Sequence, residues 1–257
     1  MRYLTKEWYQ TMKDSGLGIQ LRADDRAAVF SEEFFQRIWE KKCGDMLAMR
    51  EDVCYEYDMP WDEEDERRYF EENYRREEEL FRTRTPAKIL SKVADIRVLA
   101  LGLCTEEVYR DFEQYRALCK KWTEKTMAEV WNLQRTQGLD KVWTGGHSLH
   151  DSRVQSVKRE GEDLVIEFNR ENALKLHEEL GEEEFLFPEI RAIRFRDAGI
   201  LKQEEPLENT WWLYDEIWKS ERGYEIHALL WQENDVFELT IECREPELEW
   251  TISPAEQ

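Results

Sequence analysis

The sequence predicts an α+β protein with a helical N-terminal half and an antiparallel β-rich C-terminal half. Two observations carry this: apolar residues keep a helical period up to Gly138, and strand alternation replaces it after the Gly145-Gly146 pair. A third is the uneven charge. Residues 1–149 carry 25 Lys and Arg against 30 Asp and Glu, a net −5, whereas residues 150–257 carry 12 against 28, a net −16. The expected boundary therefore separates a helical domain, residues 1–145, from an acidic β-rich domain, residues 146–257, and two domains suit a 257-residue chain. The change of period falls next to His150-Asp151-Ser152.

The first helix signal is Ser31 before Glu32-Glu33, a hydroxyl N-cap followed by acidic residues in the first turn, with Phe34, Phe35, Ile38 and Trp39 on one face. From Asp62 to Phe81, acid–arginine pairs four residues apart (Glu63 with Arg67, Glu64 with Arg68, Glu71 with Arg75, Glu72 with Arg76) border a narrow stripe of Phe70, Tyr74 and Phe81. That pattern predicts an exposed, salt-bridged helix. Thr85-Pro86 is read as the start of the most buried helix, running through Ile89, Val93, Ile96 and Val98 to Leu101 and stopping at Gly102. Thr105 with Glu106-Glu107 opens another that ends at Gly138, as one long helix or as two joined near Thr126.

In the C-terminal half, Val154 and Val157, then Leu164, Ile166 and Phe168, flank the turn Glu160-Gly161-Glu162-Asp163 and predict a hairpin. A short helix is expected over Glu171 to Leu180, and a strand over Ile190 to Phe195. Trp211 to Trp218, Tyr224 to Trp231 and Phe237 to Cys243 form the clearest meander, turning at residues 220–223 and 232–235. The expected architecture is an antiparallel meander, as a sandwich or half-barrel.

Composition excludes several classes. Charged residues make up 37% of the chain, but a 41% apolar fraction and 32 aromatic residues argue for a packed core over disorder. Met1 to Phe30 lacks the apolar run of a signal peptide, no stretch has the length of a membrane span, and five scattered cysteines without CxxC spacing suit reduced thiols. A soluble cytoplasmic chain is expected. A net charge of −21 argues against nucleic acid as partner, because such binding neutralises phosphates with Lys and Arg.

The candidate sites lie in the C-terminal half. His147 and His150, with Asp151 adjacent, could be joined by His227 in a set that a transition metal accepts. The alternative gives His150 and Asp151 a structural role where the β half begins, and no metal or other cofactor is expected. Glu225 and His227 share one strand face with Leu229 and Trp231, while Tyr224, Ile226, Ala228 and Leu230 form the core face, so the first face is expected to be partly exposed. With Trp211, Trp212 and Tyr214 on the neighbouring strand it reads as a binding surface more than a catalytic pocket, although Trp211, Trp212 and Trp218 are also natural core residues. His150, Asp151 and Ser152 contain the residue types of a hydrolase triad, but contiguous residues do not generally reach its geometry, and no GxSxG, HExxH, phosphate-binding or dinucleotide-binding motif is present.

Five segments carry a resemblance: Tyr3-Leu4-Thr5-Lys6-Glu7-Trp8-Tyr9, the run Lys92 to Gly102, His150-Asp151-Ser152, Trp211-Trp212-Leu213-Tyr214-Asp215-Glu216 and Tyr224-Glu225-Ile226-His227. On these the chain resembles the bacterial proteins grouped as domain of unknown function 4085, a resemblance that implies no activity and no site residues. The C-terminal half alone, with its Leu-His-Asp-Ser start, is also similar to small β-domains of some bacterial immunity proteins, which implies a protein-binding role. The leading expectation is an acidic binding protein, not an enzyme, that docks a basic protein partner. The alternative is a metal-dependent hydrolase using His147, His150, Asp151 and His227, with Glu225 as a general base. In a third reading the helical half does the binding. Oligomeric state is not legible.

Overall fold

The computed structural model describes residues 1–143, 149–169, 190–233 and 235–250. The chain forms two compact units. One is Thr11–Lys121; the other joins Met1–Gln10 to Trp122–Gln257. The helices α1 (Lys6–Asp14) and α6 (Glu106–Thr136) contribute residues to both.

The unit Thr11–Lys121 holds β1 (Arg22–Ala23), α2 (Glu32–Glu56), α3 (Glu63–Arg84), α4 (Ala87–Leu90), α5 (Ile96–Ala100) and β2 (Leu103–Cys104). Ser31 caps α2 as its sequence requires, its hydroxyl accepting from the Phe34 amide at 3.3 Å. Helix α3 is the expected charged helix, with Glu63–Arg67 at 2.7 Å, but Arg68 turns to Asp65 instead of Glu64. Its apolar stripe packs on α2, with Trp39 edge-on to Phe70 at 5.0 Å and to Tyr74 at 4.6 Å. Helix α6 is one helix.

The single buried helix expected from Thr85 to Gly102 is corrected to two short ones. Asp95 caps α5 by accepting from the Arg97 amide at 2.8 Å and also binds the Arg97 guanidinium, so an aspartate favouring local backbone bonding interrupts the run. Thr85 ends α3 and does not cap α4, whose N-cap is Pro86 with no side-chain bond.

The second unit is built on an eight-stranded antiparallel sheet, not closed into a barrel. Its strands are β3 (Ser152–Glu160), β4 (Asp163–Asn169), β5 (Ile190–Arg196), β6 (Gly199–Gln203), β7 (Trp211–Lys219), β8 (Tyr224–Gln232), β9 (Asp235–Cys243) and β10 (Glu245–Trp250), in the order β10-β5-β4-β3-β7-β8-β9-β6. The predicted β3–β4 hairpin and the β7–β8–β9 meander are present. Strands β3 and β7 share only the pairs Ser152–Trp212 and Arg153–Trp211, so the sheet has two four-stranded halves with a narrow join. The chain crosses between halves twice, at Asp197-Ala198 and at Arg244, and the Arg244 amide donates to the Arg196 carbonyl at 2.9 Å. Residues of both halves then form one core: Val154, Ile166 and Phe195 with Trp212, Ile226, Leu239 and Ile241.

Strands β6 and β10 and helix α1 were not anticipated. Both strands are edges, rich in polar side chains, and β10 contains Pro246, a composition that protects edges and blurs alternation. The helix expected over Glu171 to Leu180 lies outside the described residues. All five cysteines are free and buried, and burial pushes the thiol of Cys104 up to about 11 and that of Cys243 up to about 12.

Gly223 in the β7–β8 turn has φ 139°, and a Cβ there would sit 2.3 Å from the Arg244 carbonyl oxygen at the second crossing. Gly161 in the β3–β4 turn has φ 65° and open space around it. Gly223→Ala should therefore cost about 2–4 kcal/mol, combining backbone strain with overpacking. Gly161→Ala should cost only the left-handed penalty of about 1–2 kcal/mol. Urea unfolding of the two variants checks the ranking, and equal midpoints would refute the close packing of turn against crossing.

Candidate functional site

The sequence-predicted site residues divide between the two faces of the β7–β8–β9 meander. Register pairs Glu216 with His227 and Trp218 with Glu225, and pairs His227 with Thr240 on β9. These side chains form the face opposite the core. A bulge between Trp212 and Tyr214 sets the faces: Trp212, Asp215 and Ile217 oppose Leu230, Ala228 and Ile226 on the core side.

The Glu225–His227 face is partly exposed at its ends and closed at its centre. Glu225 and Trp231 are half-buried, whereas His227 and Leu229 are buried, because residues 1–10 pack on this face. The attachment is polar at its centre. Glu216, fully buried in mid-strand, accepts the amides of three consecutive residues: Arg2 at 3.1 Å, Tyr3 at 2.9 Å, and Leu4. It also accepts the Trp218 indole N–H at 3.0 Å. These donors replace the water a carboxylate loses on burial. Around it, Arg2 lies over the Trp218 ring at 5.1 Å and 3.6 Å from Glu225, and Trp8 meets Tyr214 edge-on at 4.8 Å. Thr5 starts α1 by accepting from the Trp8 amide at 3.2 Å.

His227 bonds Glu225 through Nε2 and lies 3.4 Å from the Thr240 hydroxyl through Nδ1, and burial lowers its pKa below the ordinary histidine value. His150 pairs with Asp151 at 2.9 Å and stands edge-on to Tyr214 at 4.9 Å. Asp151, at φ 62°, donates its amide to the Trp212 carbonyl, and Ser152 is fully buried. Burial, and then the charge of Asp151, raises the pKa of Tyr9, which sits 6.1 Å from Tyr214.

On the core side, Trp212 is fully buried, edge-on to Phe168 at 5.8 Å. Its indole and that of Trp143 donate to the two oxygens of Asp215, whose pKa burial nonetheless raises. Trp211 is half-buried opposite Trp231. The structure thus brings together His150, Asp151 and Tyr214, and separately Glu225 and His227, while Trp212 serves the core. His147 lies outside the described residues. Among the described residues no group of three or more His, Cys, Asp or Glu side chains is placed to hold a metal ion, and the metal-hydrolase alternative is not favoured.

A cleft of about 840 Å³ opens nearby, lined by Lys6, Glu204, Glu205, Pro206, Gln232, Glu233, Asp235, Val236 and Phe237. Lys6, from the segment that Glu216 anchors, reaches Glu204 at 2.6 Å, and Lys202 bridges Glu204 at 3.1 Å and Glu238 at 2.7 Å. Burial would raise the Glu204 pKa, but Lys6, the Glu238 amide and Lys202 outweigh it and bring it down to about 2. Glu205, Glu233 and Asp235 are exposed, and their side chains have no hydrogen bond or ion pair among the described residues. Sequence reasoning missed this cleft, whose residues come from three separate segments.

A family model for a protein of unknown function (DUF4085) matches residues 109–252, more than half of the chain. The chain belongs to this family. No curated protein and no solved structure matches it. The match to DUF4085 covers all eight strands, β3 to β10, but not residues 1–10. Among the described residues no helix is long and apolar enough to cross a membrane.

Two expectations follow. Glu216→Gln keeps the acceptor for Tyr3 and Leu4 but turns an amide N–H₂ toward the Arg2 amide and the Trp218 indole. It should cost about 2–4 kcal/mol, the range for unsatisfied buried donors facing one another. Hydrogen exchange at Arg2–Leu4 should accelerate with it, and unchanged protection there would refute the clamp. Because its folded pKa is depressed, Glu204 adds stability above the ordinary carboxylate range that is lost as pH falls from about 4.5 toward 2. Lys6→Met should move the Glu204 carboxyl titration upward, read by carbon NMR, and an unmoved titration would remove Lys6 from its causes.

Proposed function

We propose that this protein is a non-enzymatic acidic binding protein that docks a basic protein partner at the cleft beside residues 1–10. The observation that carries the reading is the composition of that cleft. Three exposed carboxylates without side-chain partners among the described residues, Glu205, Glu233 and Asp235, stand around an apolar wall of Pro206, Val236 and Phe237. A Lys or Arg side chain has the complementary build, an aliphatic stem with a charged head. The surplus of 16 negative charges over residues 150–257 adds long-range attraction, which raises association rate and selects against acidic competitors.

The buried titratable groups of the meander support the same reading by being engaged internally: Glu216 holds backbone amides, Asp215 holds two indoles, and His227 is bonded to Glu225. Five free, buried cysteines agree with a cytoplasmic location, where thiols stay reduced.

The test is calorimetric titration of the full chain with an eight-residue arginine–glycine repeat peptide, from 50 to 500 mM salt. Neutralising the cleft with Glu205→Gln, Glu233→Gln and Asp235→Asn should weaken binding about tenfold at the low-salt end, the order expected for losing two or three solvent-exposed charge contacts. Binding that ignores both salt and these substitutions would overturn the cleft as the docking site.

A further inference from the structure

A second surface of a different kind lies on the unit Thr11–Lys121, at the tip of the helical hairpin α2–α3. Residues 51–66 include nine carboxylates and no Lys or Arg. The flanking cations are already engaged: Arg50 holds Glu66 through two bonds of 3.0 and 2.8 Å, and Arg67 holds Glu63. Glu51, Asp52, Glu56, Asp58 and Glu64 are exposed, and their side chains have no hydrogen bond or ion pair among the described residues.

Charge alone would make this a solvated helix end. What separates it from one is the set of large side chains set among the acids. Tyr55 is 91% exposed, Tyr57 68% and Met59 44%, followed by Pro60 and the half-buried Trp61. Their backbone is ordered by hydrogen bonds. Tyr57 donates its amide to Val53 and Met59 to Cys54 at 3.1 and 2.9 Å, Asp58 takes the left-handed conformation at φ 50°, and Asp62 caps α3 by accepting from Glu64 and Asp65. The rings are thus presented outward on a built turn anchored by the buried Cys54.

The charge decides what covers them. A second copy of a chain carrying −21 is repelled, and so is an anionic lipid or nucleic-acid surface. A basic segment is attracted, and arginine suits the site best, because its guanidinium stacks on tyrosine faces while pairing with neighbouring carboxylates. Met59 accommodates apolar neighbours of varied shape.

We propose that the α2–α3 tip, centred on Tyr55, Tyr57 and Met59, docks an arginine-containing apolar segment of a basic protein partner. This rests on the reading that the partner is basic, and adds a second docking surface with its own chemistry.

The test uses two eight-residue peptides, one alternating arginine with leucine and one alternating arginine with glycine, titrated into the full chain. Three proteins are compared: the unaltered chain, a tip variant with Tyr55→Ser, Tyr57→Ser and Met59→Ser, and the cleft variant with Glu205→Gln, Glu233→Gln and Asp235→Asn. All six substitutions fall on exposed or partly exposed side chains, and circular dichroism confirms folding. The unaltered chain should prefer the leucine peptide, and the tip variant should lose at least fivefold in its affinity and lose that preference. Chemical shift changes at Trp61 on adding the leucine peptide should vanish with it. Equal affinity and preference in the tip variant would overturn the tip as a docking site, whatever the cleft variant does. Loss in the tip variant with no loss in the cleft variant would support the tip and refute the cleft. Loss in the cleft variant alone would do the reverse.

Discussion

The second unit depends on one buried carboxylate. Glu216 sits in the middle of a strand whose other face is core, and no residue of its own strand except Trp218 gives it a hydrogen bond. Burying a carboxylate without partners costs several kcal/mol even after relaxation. The amides of Arg2, Tyr3 and Leu4 meet that demand, three successive N–H groups converging on the two oxygens. The same contact fixes where α1 begins, since Thr5 caps it one residue later. Lys6 is then carried to Glu204 at the edge of the cleft. A sheet interaction, a helix start and the wall of a surface cleft thus follow from a single side chain.

Burial on both faces explains the composition of β7 and β8. A sheet with one wet face alternates polar and apolar residues. Here Trp211-Trp212-Leu213-Tyr214 precedes Asp215-Glu216, and the two carboxylates point to opposite faces, each meeting donors from outside its own strand or from indoles. Trp and Tyr suit such positions because they bury large apolar area while offering one N–H or O–H. The richness in tryptophan that made this segment look like a binding surface is largely the cost of satisfying acids inside a double-covered sheet.

Much of the architecture was legible in the sequence for that reason and for simpler ones. Ser31 as a cap, the Glu63–Arg67 and Glu71–Arg75 pairs of α3, the turn at Gly161 and the core face of β8 each act locally, within a few residues, and each is where its pattern predicts. The failures are non-local or compete with a local preference. Nothing near Glu216 announces that its partners are more than two hundred residues away, so the covering of this face by residues 1–10 is not legible in the sequence. Asp95 broke a helix that the apolar spacing of Ile89 to Leu101 would otherwise continue. Strands β6 and β10 hide because polar side chains and Pro246 are what an edge requires. For the site, the strand period places Glu225 and His227 on one face, where the structure finds them bonded, and His150 pairs with the Asp151 beside it in sequence. The cleft was not legible because Lys6, Glu204 and Asp235 meet only through the fold.

The acidic residues therefore serve three different ends, and net charge alone does not distinguish them. Glu216 and Asp215 are internal acceptors whose removal would leave indoles or amides unpaired. Glu204, Glu238 and Asp163 are held by lysines, arginines and backbone amides, and a partner's cation would have to displace an existing one to gain anything from them. The remainder have interaction energy to offer, and among them those in the cleft and at the α2–α3 tip stand beside apolar side chains. Surface ion pairs in water contribute about 0–1 kcal/mol each, too little for specific docking by charge alone. Specificity then has to come from the apolar groups beside the acids, Pro206, Val236 and Phe237 in one place and Tyr55, Tyr57 and Met59 in the other, with the carboxylates setting the sign of the partner and the rate at which it arrives.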